Sequence, residues 1–241
     1  MAQLLHSLKG NSDILPLQAV QRIWSSKYKK DEQAKTRATA PSANIPSIIE
    51  KIIKLKPGSA SFSINEIVSL GNQLEHNHTT QTTVQNWVKR DIRDLIGPPA
   101  HTKKYSVDQA ALIFVIEDLR TIMGDLSSVQ KMLSIVFSNP GGLREDWIRP
   151  VEFYAAYSSI FEDLDPDDDQ MLDIEEGSKL DIKGAAEKKA DQFAETLGHL
   201  SAEEKETLSD ILVVATLSVQ TSYFQSLARQ TANSLILSRV D

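Results

Sequence analysis

Apolar positions recur at helical spacing along most of this chain, and polar, proline- or glycine-bearing stretches separate the runs. Val20, Ile23, Trp24 and Tyr28 mark one face of a basic amphipathic helix over Leu17–Ala34, and the small polar stretch Thr36–Asn44 reads as a linker. Pro46 opens a short helix that stops at Lys56-Pro57-Gly58, because proline is tolerated in a first turn but not further in. Ser63 and Glu66 have capping-box spacing, and Ile64, Ile67, Val68, Gly71 and Leu74 continue a helical face behind them. The polar turn Glu75–Thr79 leads to a second helix over Thr80–Asp94, with Val84, Trp87, Val88, Ile92 and Leu95 as its stripe. Gly97-Pro98-Pro99 ends it, and Ala100–Tyr105 forms a short basic loop or hairpin.

Ser106 caps a third helix, with Asp108 in its first turn and Ala111, Leu112, Val115, Ile116, Leu119 and Ile122 as its apolar face. Gly124 breaks it, and a fourth helix starts at Asp125 or Ser127. Asn139-Pro140-Gly141-Gly142 marks a boundary. Beyond it come an aromatic-rich helix over Trp147–Leu164, an acidic loop, a charged helix over Ala185–Leu197 and a long final helix over Ala202–Leu237. No convincing strand run occurs outside the loop at 100–105, so the expected fold class is all-α. Three parts are expected: a basic helix and linker over 1–44, a domain over 45–139 and a C-terminal helical domain over 143–241.

Length and composition fit this picture: 241 residues make one large domain or two small ones, and a hydrophobic fraction of 41% is enough for a core. The absence of cysteine excludes disulfides, thiolate zinc sites and a cysteine nucleophile. The strongest apolar run, Ile211–Val219, falls short of the roughly 18 residues of a membrane span, and the N-terminus lacks the pattern of a signal peptide. A cytoplasmic protein without a membrane partner is therefore expected. Charge is uneven. Residues 1–104 hold 15 Lys/Arg against 8 Asp/Glu, and residues 105–241 hold 11 against 25. A basic N-terminal portion on an acidic protein suggests a nucleic-acid or acidic-partner surface there.

Two helices joined by a polar turn, followed by a basic loop, have the layout of a winged helix-turn-helix. Thr80, Gln81, Thr82, Thr83, Gln85 and Asn86 occupy the N-terminal part of the second helix, where such a helix enters the major groove. Gln and Asn pair bidentately with adenine, and Thr contacts base edges or the thymine methyl. Lys89 and Arg90 follow in reach of phosphates, and Lys103, Lys104 and Tyr105 belong to the cationic wing. Trp87 falls on the packing side. Residues 61–104 carry only five Lys/Arg against four Asp/Glu, with Asp91 and Asp94 near the phosphate-facing surface, and this limits sequence-independent affinity.

The string Thr83-Val84-Gln85-Asn86-Trp87-Val88-Lys89-Arg90, then Leu95-Ile96-Gly97-Pro98-Pro99, Lys104-Tyr105-Ser106 and Asp108, resembles the MerR-like module of bacterial regulators. Leu112–Ile122, Gly124 and Leu126–Leu133 resemble that family's next two helices. Asn86-Trp87 departs from the paired tyrosines of many members, and lysines replace the usual wing arginines. More narrowly, the chain resembles a group of Gram-positive bacterial proteins catalogued only as a domain of unknown function. The resemblance implies a transcriptional regulator that binds double-stranded DNA as a homodimer, with an unspecified effector. The alternatives are a protein-interaction or structural role without DNA contact, and a calcium- or ligand-responsive binding protein.

The calcium alternative rests on the acidic loop. Asp165, Asp167, Asp169, Asp173 and Glu176 match EF-hand positions 1, 3, 5, 9 and 12, but Gln170 stands where the sharp turn needs glycine and no second loop is present. The bland reading is a solvated interhelical loop. His76 and His78 lack further ligands, and no P-loop, GxGxxG, GxSxG or HExxH motif occurs, so neither a cofactor nor an enzyme is expected.

Overall fold

The computed structural model describes residues 61–72, 79–138, 145–164 and 181–237. The expected helices at 17–34 and 46–55, the linker, the boundary at 139–142 and the acidic loop lie outside the described residues. Within them the chain is mostly helical, with one two-stranded sheet. β1 (Ser61–Phe62) pairs antiparallel with β2 (Tyr105–Ser106), in the register Ser61 to Ser106 and Phe62 to Tyr105. Strand β1 was not expected: two residues are too short to show a period of two.

α1 (Ile64–Gly71) begins with the anticipated capping box. The Glu66 amide donates to Ser63 Oγ at 3.3 Å, and the Ser63 amide donates to Glu66 Oε2 at 2.8 Å. α2 (Gln81–Asn86) is capped by Thr80, whose Oγ1 accepts from the Thr83 amide at 3.2 Å. A regular helix over Thr80–Asp94 is not what forms. A π-turn occupies Trp87–Asp91, closed by the Ile92 amide donating to the Trp87 carbonyl at 3.1 Å, and α3 (Arg93–Ile96) follows. The wider π-turn takes up one extra residue. It swings Ile92, Leu95 and Ile96 back to the side of Val84, Trp87 and Val88, so that all six are buried. Lys89, Arg90 and Asp91 remain exposed. Gly97 ends the segment at φ 75° and ψ 179°, a conformation essentially restricted to glycine.

α4 (Val107–Met123) is the central helix. Every residue from Ala110 to Ile116 is buried, so it is apolar all round rather than on one face, as a helix surrounded by others must be. The expected face is corrected at one position: Ile122, near its end, is 43% exposed. Gly124 closes α4 in the left-handed region, at φ 76°. α5 (Leu126–Val136) is capped by Asp125, and α6 (Pro150–Asp163) carries proline in its first turn. α7 (Ile182–Glu195) starts earlier than expected because Asp181 caps it. α8 (Ala202–Leu237) runs 36 residues, about 54 Å at 1.5 Å per residue.

α4, α6, α7 and α8 pack together, and α4 also packs on β2 and α3. One apolar core runs unbroken from Phe62 through Ala215, across the boundary expected near 139–143. Its aromatic centre chains Phe137, Phe153, Tyr157 and Tyr154 edge to face at centroid distances of 5.3–5.6 Å. Among the described residues, α8 is long and apolar enough to cross a membrane by length and composition, with a window of mean hydropathy 1.3 of which 39% is buried.

Candidate nucleic-acid interface

Gln81, Gln85, Lys89 and Arg93 follow one another at four-residue intervals from α2 into α3, and all line a single open groove. A second wall is formed by Pro98, Pro99, Lys103 and Tyr105, and Ser63, Ile64 and Asn65 at the start of α1 line the groove too. The groove encloses about 680 Å³. Its floor includes Ile64 and Val88, and its rim carries the three cations Lys89, Arg93 and Lys103.

The second wall is held by a single glutamine. Gln109 Nε2 donates to the carbonyls of Ile96 at 2.9 Å and Pro98 at 2.7 Å. Its Oε1 accepts from the Ser106 amide at 2.9 Å, which completes the capping box of α4. Beyond Pro99 the backbones of His101 and Lys104 exchange both hydrogen bonds, at 3.1 and 2.9 Å, and close Thr102-Lys103 into a two-residue turn. Lys103 sits at φ 58°, uncommon for a residue with a Cβ.

The groove thus brings together Gln81, Gln85, Lys89, Lys103 and Tyr105 of the sequence-predicted residues. Thr80 and Thr82 are exposed at the start of α2, and Thr83, whose hydroxyl meets that of Thr80 at 2.9 Å, helps close the cap. Asn86 is half-buried, and Arg90 and Lys104 are exposed away from the groove lining. Tyr105 lines the groove but leaves little of itself open to it. It is only 6% exposed, its backbone pairs with Phe62, and burial pushes its phenol up. Its alternation within β2 turns the ring inward. Arg93 was missed, although its place four residues after Lys89 was a signal for it. Trp87 is buried, and the Arg120 guanidinium stands 5.9 Å from its ring centroid.

Two features of the helical part bear on function. A second groove, about 500 Å³, runs between α6 and α7 over Ala155, Ala156, Ile160, Phe193 and Leu197, with the Asp163–Lys189 ion pair (2.8 Å) along it. Deeper, Asp118 of α4 accepts from Tyr157 Oη of α6 at 2.6 Å, while Ser218 Oγ of α8 donates to the Asp118 carbonyl. Burial pushes the Asp118 carboxyl up to about 7, against the lowering effect of the Tyr157 hydrogen bond. The same burial drives the Tyr154 and Tyr157 phenols well above their ordinary range. Asp108 also bridges helices: it pairs with Arg149 at 2.7 Å and accepts from the Val151 amide at 3.3 Å, capping α6 from the first turn of α4.

Among the described residues no group of three or more His, Asp or Glu is placed to hold a metal ion. The EF-hand-like residues Asp165, Asp167, Asp169, Asp173 and Glu176, with His76 and His78, lie outside the described residues.

The site is thus a cation-rimmed groove on a mostly helical protein. Residues 44–157 match the family described as Domain of unknown function (DUF1836). The match covers the groove and all of α4 and α5, and ends within α6. The chain is 27% identical over 231 residues to "Uncharacterized protein YkrK" of Bacillus subtilis (strain 168), covering 95% of this chain and 93% of that protein. Both findings support an uncharacterised bacterial family. No solved structure gives a significant match.

Proposed function

We propose that the protein is a DNA-binding regulator whose segment Ser61–Ser106 acts as a MerR-like winged helix-turn-helix, with α2 entering the major groove and the His101–Lys104 turn serving as the wing. The observation that carries this reading is the alignment of Gln81, Gln85, Lys89 and Arg93 at four-residue intervals in one groove that Lys103, on the His101–Lys104 turn, also lines. Amides read base edges and cations hold phosphates, so one face supplies both functions. Two exposed acids, Asp91 and Asp94, sit beside Arg90 and Arg93 and keep the surface weakly basic. The alternative, a protein-binding surface on the same groove, draws support from its apolar floor.

Binding of the full chain to duplex DNA across a salt series tests the proposal. The expected result is affinity that falls steeply with salt, a slope reduced by about one in Lys89→Ala or Arg93→Ala, and altered sequence preference in Gln85→Ala. No measurable affinity for genomic fragments at low salt overturns it in favour of the protein-binding alternative.

A further inference from the structure

The chain between Ile96 and Ser106 has few backbone groups with which to hold itself in place. Pro98 and Pro99 carry no amide to donate. Each ring fixes its own φ, and Pro99 also confines Pro98 to extended backbone, so this stretch is stiff. The Thr102-Lys103 turn beyond it therefore sits wherever the two ends of the stretch are anchored. The paired bonds of His101 and Lys104 shape the turn but do not attach it to the fold, because both partners lie within it. At the exit, β2 attaches it through the pairing of Tyr105 with Phe62. At the entry, the Gly97 amide still bonds the Arg93 carbonyl at 2.8 Å. Past Gly97, among the described residues, the attaching hydrogen bond is the one from Gln109 Nε2 to the Pro98 carbonyl at 2.7 Å. The second hydrogen of Nε2 goes to the Ile96 carbonyl at 2.9 Å, and Oε1 accepts from the Ser106 amide at 2.9 Å. One carboxamide thus joins the entry of the wing to its exit. Glutamate lacks the donors, lysine lacks the acceptor and asparagine is a methylene shorter, so the three bonds suit glutamine.

We propose that Gln109 is the positioning residue of the wing, a role that rests on the DNA-binding reading above. Its carboxamide holds Lys103 in place relative to Lys89 and Arg93, so that the three cations of the groove meet one duplex together. Without it the wing stays attached through β2, but its entry is loose and the turn must be ordered on binding, at an entropic cost. The phosphate contact of Lys103 is then lost although no charge has been removed. This clasp is distinct from the helix cap. The cap uses Oε1 and the Gln109 amide, which donates to Ser106 Oγ at 3.2 Å, whereas the clasp uses Nε2. Substitution separates the two. Gln109→Glu keeps the acceptor, and glutamate is itself a capping-box residue, but it cannot donate to either carbonyl. Gln109→Met keeps the length and the neutrality of the side chain and loses both cap and clasp.

The test has two arms, both on the full chain. Without DNA, backbone order parameters of residues 101–104 are expected near the rigid value of about 0.85, and below about 0.6 in Gln109→Glu, with unchanged circular dichroism. Order parameters that stay rigid in Gln109→Glu overturn the proposal, as does a turn already loose in the unaltered chain. With DNA, duplex genomic fragments are titrated across a salt series. Lys103→Asn, which tolerates the left-handed backbone, removes one cation and is expected to lower the salt slope by about one. Gln109→Met removes no charge, yet is expected to lower the slope by the same amount, and the double variant by no more. Asp125→Ala loses the cap of α5 outside the groove, so it shows what reduced stability alone does, and its slope is expected to stay unchanged. An unchanged slope in Gln109→Met, a loss of about two in the double variant or a fall in Asp125→Ala overturns the proposal. No DNA binding by the unaltered chain at low salt overturns the DNA-binding reading and, with it, the role of Gln109 in DNA contact. The order parameters still decide in that case whether Gln109 holds the wing.

Discussion

The segment Ser61–Ser106 and the bundle of α4, α6, α7 and α8 are built on different physical scales. The bundle is held by large side chains removed entirely from water, with Phe153, Tyr157, Leu208 and Leu212 each 0% exposed. The Ser61–Ser106 segment also buries side chains in that core, Phe62, Ile67, Leu70 and Val84 among them, but its surface is shaped by small devices: a two-residue ladder, two capping boxes, a π-turn, a glycine at positive φ and the Gln109 amide. Dispersion and apolar burial make the first robust but chemically uniform. Hydrogen bonds and backbone conformation leave the second free to aim its cations outward. The difference teaches where function is free to vary, since the surface residues of the groove contribute little to the core beneath it.

The strongest way to break this comparison is to strike the bundle. Phe153→Ala removes a ring packed on Phe137 and Tyr157, and should cost about 3–5 kcal/mol in urea unfolding, with loss of the whole fold because the core is continuous. Next in size is the half-buried Asp118 carboxyl. Asp118 in the folded chain holds its proton up to about pH 7, whereas the unfolded chain releases it near pH 4. The folded state therefore binds the extra proton between those values, and stability falls as pH rises through that window and is level above it. Asp118→Asn keeps an acceptor for Tyr157 and should flatten that decline, gaining on the order of 2 kcal/mol at pH 8. An unchanged pH profile in the variant would sink this assignment.

Gly97→Ala strikes the lighter segment. It forces a Cβ into φ 75° and ψ 179° and should cost about 1–3 kcal/mol, with DNA affinity falling further than stability if that wall of the groove shifts. The smallest effect belongs to Lys103→Gly. It relieves the left-handed backbone at φ 58°, so denaturation midpoints should move by less than about 1 kcal/mol, while the salt slope of DNA binding should drop by about one. A loss of stability comparable to that of Phe153→Ala would erase the distinction between the two regions.

Helix ends were the most legible part of the sequence. Ser63 with Glu66, Ser106, Asp125 and Gly124 act in the structure as their spacing implied, because caps are local chemistry. The π-turn was not legible: the positions 84, 87, 88, 92, 95 and 96 fit a regular helix almost as well, and only packing against α4 decides between the two. The burial of Tyr105 was not legible, because an aromatic residue at the end of a basic loop has the same sequence pattern whether its ring packs inward or faces outward. Asp118 was not legible, since in the charged stretch Glu117-Asp118-Leu119-Arg120 it looks like a solvent position until α6 and α8 pack against it. The groove was legible in part. Gln81, Gln85 and Lys89 stood out by residue type, but their alignment with Arg93 depends on how the π-turn joins α3.

Gln109 has a mechanical consequence. It fixes Pro98 to the first turn of α4, while Ser218 and Tyr157 grip α4 at Asp118. α4, 17 residues and about 26 Å long, thus holds the groove wall at its first turn through Gln109, while Asp108 ties the same turn to α6 and Asp118 ties the helix to α6 and α8. Over the nine residues from Gln109 to Asp118, about 14 Å of helix, a tilt of about 5° moves the wall that carries Lys103 by roughly 1 Å. A shift of α6 or α8 against α4 is therefore carried to the groove wall through Gln109, without any contact with the groove itself.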